Sequence, residues 1–254
     1  MVEIPILKMV MLGPVMLYVW GFFVASSMVV AYLLGRKRIR KAGIDLKHLD
    51  NLFIYTSVSA FVGARLLWVL IEYKAYLADP LEILKIWNGG LAFTGGFVLA
   101  FLFVIYYTRR NKLDLLKITD ALAFPLAVGM FIGRFGCLFS GLHPGIPASF
   151  GGVYNINGQY LAAWPFWAIL NWFVASIVLY NAEKIIKRVG LLTIITVSWW
   201  GLWRFFGDFI RADAGVSGGD PRYLGLTPTQ YLALLALTFI VFMFFKYKIY
   251  RKIR

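Results

Sequence analysis

The sequence predicts an all-α integral membrane protein with about seven transmembrane helices, and three observations carry that prediction. The 254 residues are 61% hydrophobic with a mean hydropathy of +0.74, which places the chain in the membrane class before any motif is considered. Seven apolar stretches approach or reach the roughly 20 residues that cross a hydrocarbon core about 30 Å thick. Eighteen of the 26 Lys and Arg fall in alternate connections, which is the charge asymmetry of a positive-inside topology.

Taken in order, the first stretch is 9–34, and the basic run 36–47 follows it. A cleaved signal peptide would carry its charge before a shorter apolar core, so this stretch is expected to stay as the first span. The second is 52–71 and the third, a short one, is 91–107, closed by the basic run 109–117. The fourth, 118–139, is interrupted by Pro125, Gly129, Gly133 and Gly136. The fifth and sixth, 161–180 and 191–210, flank the basic segment 184–188. The last, 230–245, leads into a basic tail. The alternation puts the N-terminus outside and the C-terminus in the cytoplasm. A single membrane domain over 1–254 is expected, with external connections near 72–90, 140–160 and 211–229. Within the first of these, 78–87 reads as a short surface helix, capped by Asp79 with Pro80 in its first turn.

The net charge of +14 follows this topology and excludes nucleic acid as the partner, since the basic residues face anionic lipid. One cysteine, Cys137, allows neither an internal disulfide nor a zinc cluster. No metal or cofactor is expected, and nothing in the pattern demands more than a monomer. There is no Walker loop, no Ser-His-Asp pattern and no HExxH motif.

Three arginines lie inside apolar stretches: Arg65, Arg134 and Arg204. Each costs roughly 2.5–3.5 kcal/mol at a bilayer centre on insertion scales, so each should face the protein interior and a partner. All three spans run from inside to outside, and a rise of 1.5 Å per residue lifts the arginines about 20–24 Å, into the outer third. Gly63-Ala64-Arg65 and Gly133-Arg134-Phe135-Gly136 combine small residues, which permit close approach, with a planar fork suited to phosphate. Arg204, Asp208 and Arg211 are spaced i, i+4, i+7 on one helix face; this reads equally as a self-neutralising stripe or as a carboxylate that holds arginines for a phosphate. His143 follows Arg134 on the external side, where an imidazole can titrate near neutral pH. The tryptophans near span ends, Trp164 among them, read as interfacial belt or packing.

The ordered motifs resemble the prolipoprotein diacylglyceryl transferase family over most of the chain. The resemblance begins with Tyr18-x-Trp20-Gly21-Phe22 and Gly63-Ala64-Arg65-Leu66. Trp87-x-Gly89-Gly90-x-x-x-Thr94-Gly95-Gly96 is similar to the family's Trp-x-Gly-Gly-Met-x-x-His-Gly-Gly. Asp120 and Pro125 precede Gly133-Arg134-x-Gly136, which opens the family's signature. Gln159, then Arg204-Phe205-x-x-Asp208-x-x-Arg211, then Gln230 complete the series.

What the resemblance implies is transfer of a diacylglyceryl group from phosphatidylglycerol, an anionic phospholipid, to the lipobox cysteine of a prolipoprotein signal peptide. The reaction would occur at the outer face of the plasma membrane, with glycerol phosphate leaving. Arg134, Arg204 and His143 are the candidate catalytic residues. Arg65, Gly89, Gly90, Thr94, Gly95, Gly96, Gly133, Gly136, Asp208, Arg211 and Gln230 are the candidate substrate-binding residues. The chain departs from the family where Thr94 replaces its histidine and Cys137-Leu138-Phe139-Ser140-Gly141-Leu142 replaces Asn-Phe-x-Asn-Gly-Glu. The Tyr-Glu that follows Gln159 in the family reads Leu161-Ala162. The arginines are kept and several proton-handling groups are lost. Three readings follow: the same reaction with His143 or the arginines assisting thiolate formation, the same class with a different donor such as an ether lipid, or a non-enzymatic protein that binds or transports anionic lipid.

Overall fold

The computed structural model describes residues 1–13, 15–85, 90–215 and 219–247. The architecture is mostly helical: α1 (Val19–Lys41), α2 (Leu46–Ile71), α3 (Tyr73–Ala78), α4 (Phe93–Arg110), α5 (Leu115–Phe139), α6 (Trp164–Ile185), α7 (Leu191–Gly207) and α8 (Pro228–Tyr247). Among the described residues, four helices are long and apolar enough to cross a membrane: α1, α2, α5 and α6. Phe61, Leu70, Leu102, Phe173 and Leu235 lie exposed on helix surfaces, as side chains that meet lipid instead of water do. This is an integral membrane protein.

Among the described residues, six short strands accompany the helices: β1 (Val2–Glu3), β2 (Met9–Leu12), β3 (Val15–Tyr18), β4 (Pro144–Pro147), β5 (Gly152–Ile156) and β6 (Gln159–Ala163). Two expectations are corrected by them. The first helix starts at Val19 and not at residue 9, because β2 and β3 form an antiparallel hairpin with Met9 opposite Tyr18. The Gly13-Pro14 pair punctuates the apolar run there. The connection 140–160 is not a loop but most of a four-stranded sheet in the order β1-β5-β6-β4. Its hairpin turns at Asn157-Gly158, with φ of 53° and 83°, the left-handed pair a two-residue type I′ turn requires. The fifth expected span, 161–180, therefore begins as a helix only at Trp164, in α6, since residues 161–163 belong to β6.

Contacts divide the chain into two compact units, residues 36–118 on one hand and residues 1–35 with 119–254 on the other. In the smaller unit α2 packs closely on α4. A Cβ at Gly63 would clash with Leu99 Cβ at 2.6 Å, and one at Gly96 would lie 2.7 Å from the Ala60 carbonyl. Small residues at such a crossing let two helix backbones touch. After α3, a 3-10 turn at Pro80–Leu84 is capped by Asp79, whose carboxylate accepts the Leu81 amide at 3.2 Å. Of the expected surface helix at 78–87, residues 86 and 87 lie outside the described residues.

In the larger unit Trp172, Ala175 and Leu179 of α6 pack with Ala123 and Ala127 of α5 and Leu192 of α7. Gly129 and Gly136 of α5 face α1: a Cβ at Gly129 would meet Ala31, and one at Gly136 would press on Phe23 and Trp20. Asp120 of α5 accepts the amides of Gly190 and Thr193 at 2.6 and 2.7 Å and so caps the start of α7. The buried Tyr154 of β5 donates its hydroxyl to the Leu138 carbonyl at 2.9 Å, tying the sheet to the C-terminal end of α5.

Candidate anion site

The site is built where α5, α6 and α7 end or begin beside the sheet. α7 stops at Gly207, and a 3-10 turn over Asp208–Ile210 carries the chain to Arg211. The Arg211 segment is fixed edge-on to β4: the Ala212 amide donates to the Pro144 carbonyl at 3.0 Å, and a Cβ at Gly145 would meet the Ile210 carbonyl at 2.6 Å. Close backbone approach at Gly145 therefore sets where Arg211 sits.

Trp164, expected from its place near a span end to be an interfacial belt or packing residue, is the centre of the arrangement. It is 1% exposed, and its indole N–H donates to the Gly207 carbonyl at 2.8 Å, one of the carbonyls left over where α7 ends. Three guanidiniums stand against this one ring: Arg134 at 5.2 Å from the centroid, Arg204 at 5.3 Å and Arg211 at 5.1 Å. No two of them can then be further apart than about 11 Å, roughly one Debye length. Their mutual repulsion is offset partly by the ring's quadrupole, which attracts cations.

Asp208 compensates two of these cations. It is fully buried, 3.1 Å from Arg204 and 3.8 Å from Arg211 through one oxygen. The other oxygen accepts the hydroxyls of Thr227 and Thr229 at 3.1 and 2.6 Å. Arg211 also pairs with Asp220, and Arg222 with the exposed Asp213. Arg222 further donates to the carbonyls of Asp208 and Arg211 at 3.1 and 3.0 Å, which fastens the segment after α7. Arg134 reaches only the Cys137 sulfur, at 4.0 Å, and the Trp164 face among the described residues. Arg134, Arg204 and Arg211 set against Asp208 and Asp220 leave one positive charge over.

His143 stands edge-on to Trp164 with ring centroids 6.2 Å apart, in a left-handed backbone conformation with φ of 58°. Arg211 approaches its Nδ1. A guanidinium can only donate, so Nδ1 is the acceptor and the proton sits on Nε2. The expectation that this imidazole titrates near neutral pH does not hold: burial, and then the charges of Arg211, Arg134 and Arg204, push its pKa down to about 2. Burial also raises the Asp220 carboxyl above its ordinary range, against the opposing pull of Arg211.

The other candidates separate by unit. Arg134, Arg204, Arg211, Asp208 and His143 are brought together. Arg65, in the smaller unit, is buried, and its guanidinium donates to the backbone carbonyls of Ile83 and Gly90 at 3.0 Å each and to that of Glu82. Its ring partner is Tyr76 at 5.2 Å. Gly90, at a φ of 76°, leaves room for that guanidinium. Gly95 and Gly96 lie in the α2–α4 crossing, and Thr94 is exposed in the first turn of α4. Gly89 lies outside the described residues. Gly133 faces Ser27 of α1, as Gly136 faces Phe23.

Gln230 is fully buried, and its amide is engaged within the fold. Its oxygen accepts the Thr227 amide at 2.8 Å, the Thr227 hydroxyl accepts the Gln230 amide at 3.2 Å, and Nε2 donates to the Phe205 carbonyl at 2.8 Å. This reciprocal pair is a capping box at the start of α8, with Pro228 at the first position. The signal, Thr227-x-x-Gln230, stands in the sequence.

The model of the prolipoprotein diacylglyceryl transferase family matches residues 7–246. Two similar proteins, from Staphylococcus aureus strains MSSA476 and JH9, are each named phosphatidylglycerol–prolipoprotein diacylglyceryl transferase. Each is 27% identical over 249 residues, covering 93% of this chain and 88% of its own.

Proposed function

The chain belongs to the prolipoprotein diacylglyceryl transferase family, a family of transferases, and from that premise we propose that it moves the diacylglyceryl group of phosphatidylglycerol to the thiol of a lipobox cysteine. The reaction is placed at the outer face of the plasma membrane, in a seven-span arrangement with the N-terminus outside and the C-terminus in the cytoplasm. What supports that orientation is the alternation of basic connections. What carries the chemistry is the single surplus positive charge on the Trp164 platform, which matches the one negative charge of a phosphodiester.

The thiolate sulfur attacks the glyceryl carbon that bears the phosphate oxygen. A sulfur–carbon bond forms, the carbon–oxygen bond breaks, and its electron pair stays on the phosphate. Negative charge thus moves from sulfur to phosphate, and the departing glycerol phosphate carries two charges where the diester carried one. Fixed guanidiniums beside that phosphate stabilise the transition state more than the bound donor, which is the requirement for catalysis. Arg134 and Arg204 are assigned to the phosphate, with Arg211 at the rim and Asp208 positioning both Arg204 and Arg211. The same cations lower a thiol's pKa, so its proton is released to solvent before attack. His143 presents an Nε2–H as a donor to a phosphate oxygen and takes no proton.

A second reading, anionic-lipid binding or transport without transfer, is favoured by one observation. Thr94, where the family has histidine, is exposed and cannot act as a base at neutral pH. Mass spectrometry of a lipobox peptide incubated with purified protein and phosphatidylglycerol separates the two. A diacylglyceryl-sized adduct on the cysteine supports transfer, whereas no adduct from ester- or ether-linked donors, with lipid still bound, supports the second reading.

A further inference from the structure

Resting on that reading, we propose that Asp220 tunes the charge selectivity of the phosphate site: its carboxylate, paired with Arg211, weakens the cluster's hold on the dianionic product by more than it weakens the hold on the monoanionic donor. The placement of Asp220 is built into the fold. Its amide donates to the Ala212 carbonyl at 3.0 Å, and Asp213 and Asp220 face each other in a parallel bridge. That approach is possible because residue 219 is glycine; a Cβ there would overlap the Asp213 carbonyl and lie 3.0 Å from that of Ala212. Arg222, through its pair with Asp213 and its bonds to the carbonyls of Asp208 and Arg211, holds the neighbouring backbone. The carboxylate is therefore presented to Arg211 by a braced strap, at the partly exposed rim of a cluster whose deeper carboxylate, Asp208, is fully buried.

Function follows from charge. The diester enters with one negative charge and leaves as a monoester with two, because the monoester's second pKa lies near 6. A cluster carrying three positive charges and only the Asp208 carboxylate would attract the product more strongly than the donor. Asp220 is a fixed anion that repels both, and Coulomb energy is linear in charge, so it repels the product twice as strongly. Product release, which limits many enzymes, is where this matters. Asp220 is thus a specificity-determining residue that acts through Arg211.

The test measures binding of glycerol phosphate, a dianion at pH 8, and of its methyl diester, a monoanion, by equilibrium dialysis against wild type, Asp220→Asn and Asp220→Glu. Transfer to a lipobox peptide is followed in the same preparations. Asp220→Asn is expected to tighten the diester about fivefold and the monoester about twenty-five-fold, while Asp220→Glu stays near wild type. Equal tightening of both ligands in Asp220→Asn, or none, overturns the proposal. If that variant does not fold, Asp220→Ser removes the same charge and takes its place: a larger gain for the monoester than for the diester supports the proposal, and equal gains or none overturn it. Normal transfer without the selectivity shift removes this inference and leaves the transferase reading standing. The selectivity shift without transfer does the reverse.

Discussion

Replacing Trp164 tests whether one ring organises the anion site. Trp164→Phe keeps an aromatic face but loses the N–H, leaving the Gly207 carbonyl without the donor it has at 2.8 Å. An orphaned buried acceptor costs about 1–3 kcal/mol. Trp164→Leu also removes the face that three guanidiniums approach at 5.1–5.3 Å. Each such contact is worth about 0.5–2 kcal/mol, and their sum is reduced because the cations repel one another. With the lost packing of a side chain only 1% exposed, Trp164→Leu should cost about 3–5 kcal/mol. Thermal unfolding in detergent should therefore rank wild type above Phe above Leu. Transfer should fall further than stability, since misplacing a catalytic group by about 1 Å costs about a hundredfold. A loss of about tenfold is expected for Phe and about a hundredfold or more for Leu, measured on folded protein as peptide adduct per unit time. Folded Trp164→Leu transferring within twofold of wild type would refute the platform.

Two further predictions concern His143 and Gln230. The folded state holds His143 neutral, with a pKa of about 2 against 6.5 for the free side chain, so the unfolded chain binds the extra proton as the pH falls. His143 therefore contributes stability that is complete above pH 6.5 and lost progressively below it, by at most about 1.4 kcal/mol per pH unit. His143→Asn should flatten that slope in a pH series of unfolding curves; an unchanged slope means the imidazole charges in the fold. Gln230→Leu should lower stability by about 1–2 kcal/mol through loss of the capping box, with the KM for phosphatidylglycerol held within twofold. A tenfold rise in KM at unchanged stability would instead make Gln230 a lipid ligand.

Sequence patterning carried the helices well because apolar length is a direct consequence of the bilayer. It failed at residues 9–18, where an apolar hairpin runs straight into α1 and hydropathy sees one stretch. It failed again over 144–163, although the β-favouring pair Val153-Tyr154 and the Asn157-Gly158 turn were both present. At the site, the i, i+4 spacing of Arg204 and Asp208 gave their ion pair correctly. The role of Trp164 was not legible, because a tryptophan near a span end looks the same whether it faces lipid or carries three arginines. Nor were the glycines of the motifs separable into those near a ligand and those at helix crossings; Gly63, Gly96 and Gly136 all touch a neighbouring helix. Arg65 shows the limit of composition: an arginine among glycines reads as an anion ligand, yet here the guanidinium donates to backbone carbonyls.

The surplus charge of the Trp164 cluster is tested most directly at Arg134, the guanidinium that no carboxylate engages among the described residues. Native mass spectrometry of wild type and Arg134→Ala, each titrated with phosphatidylglycerol and shown to be folded by its unfolding transition, measures the phosphate contact itself. Occupancy reduced at least tenfold in the variant is the predicted result. Equal occupancy in folded Arg134→Ala would contradict the phosphate assignment.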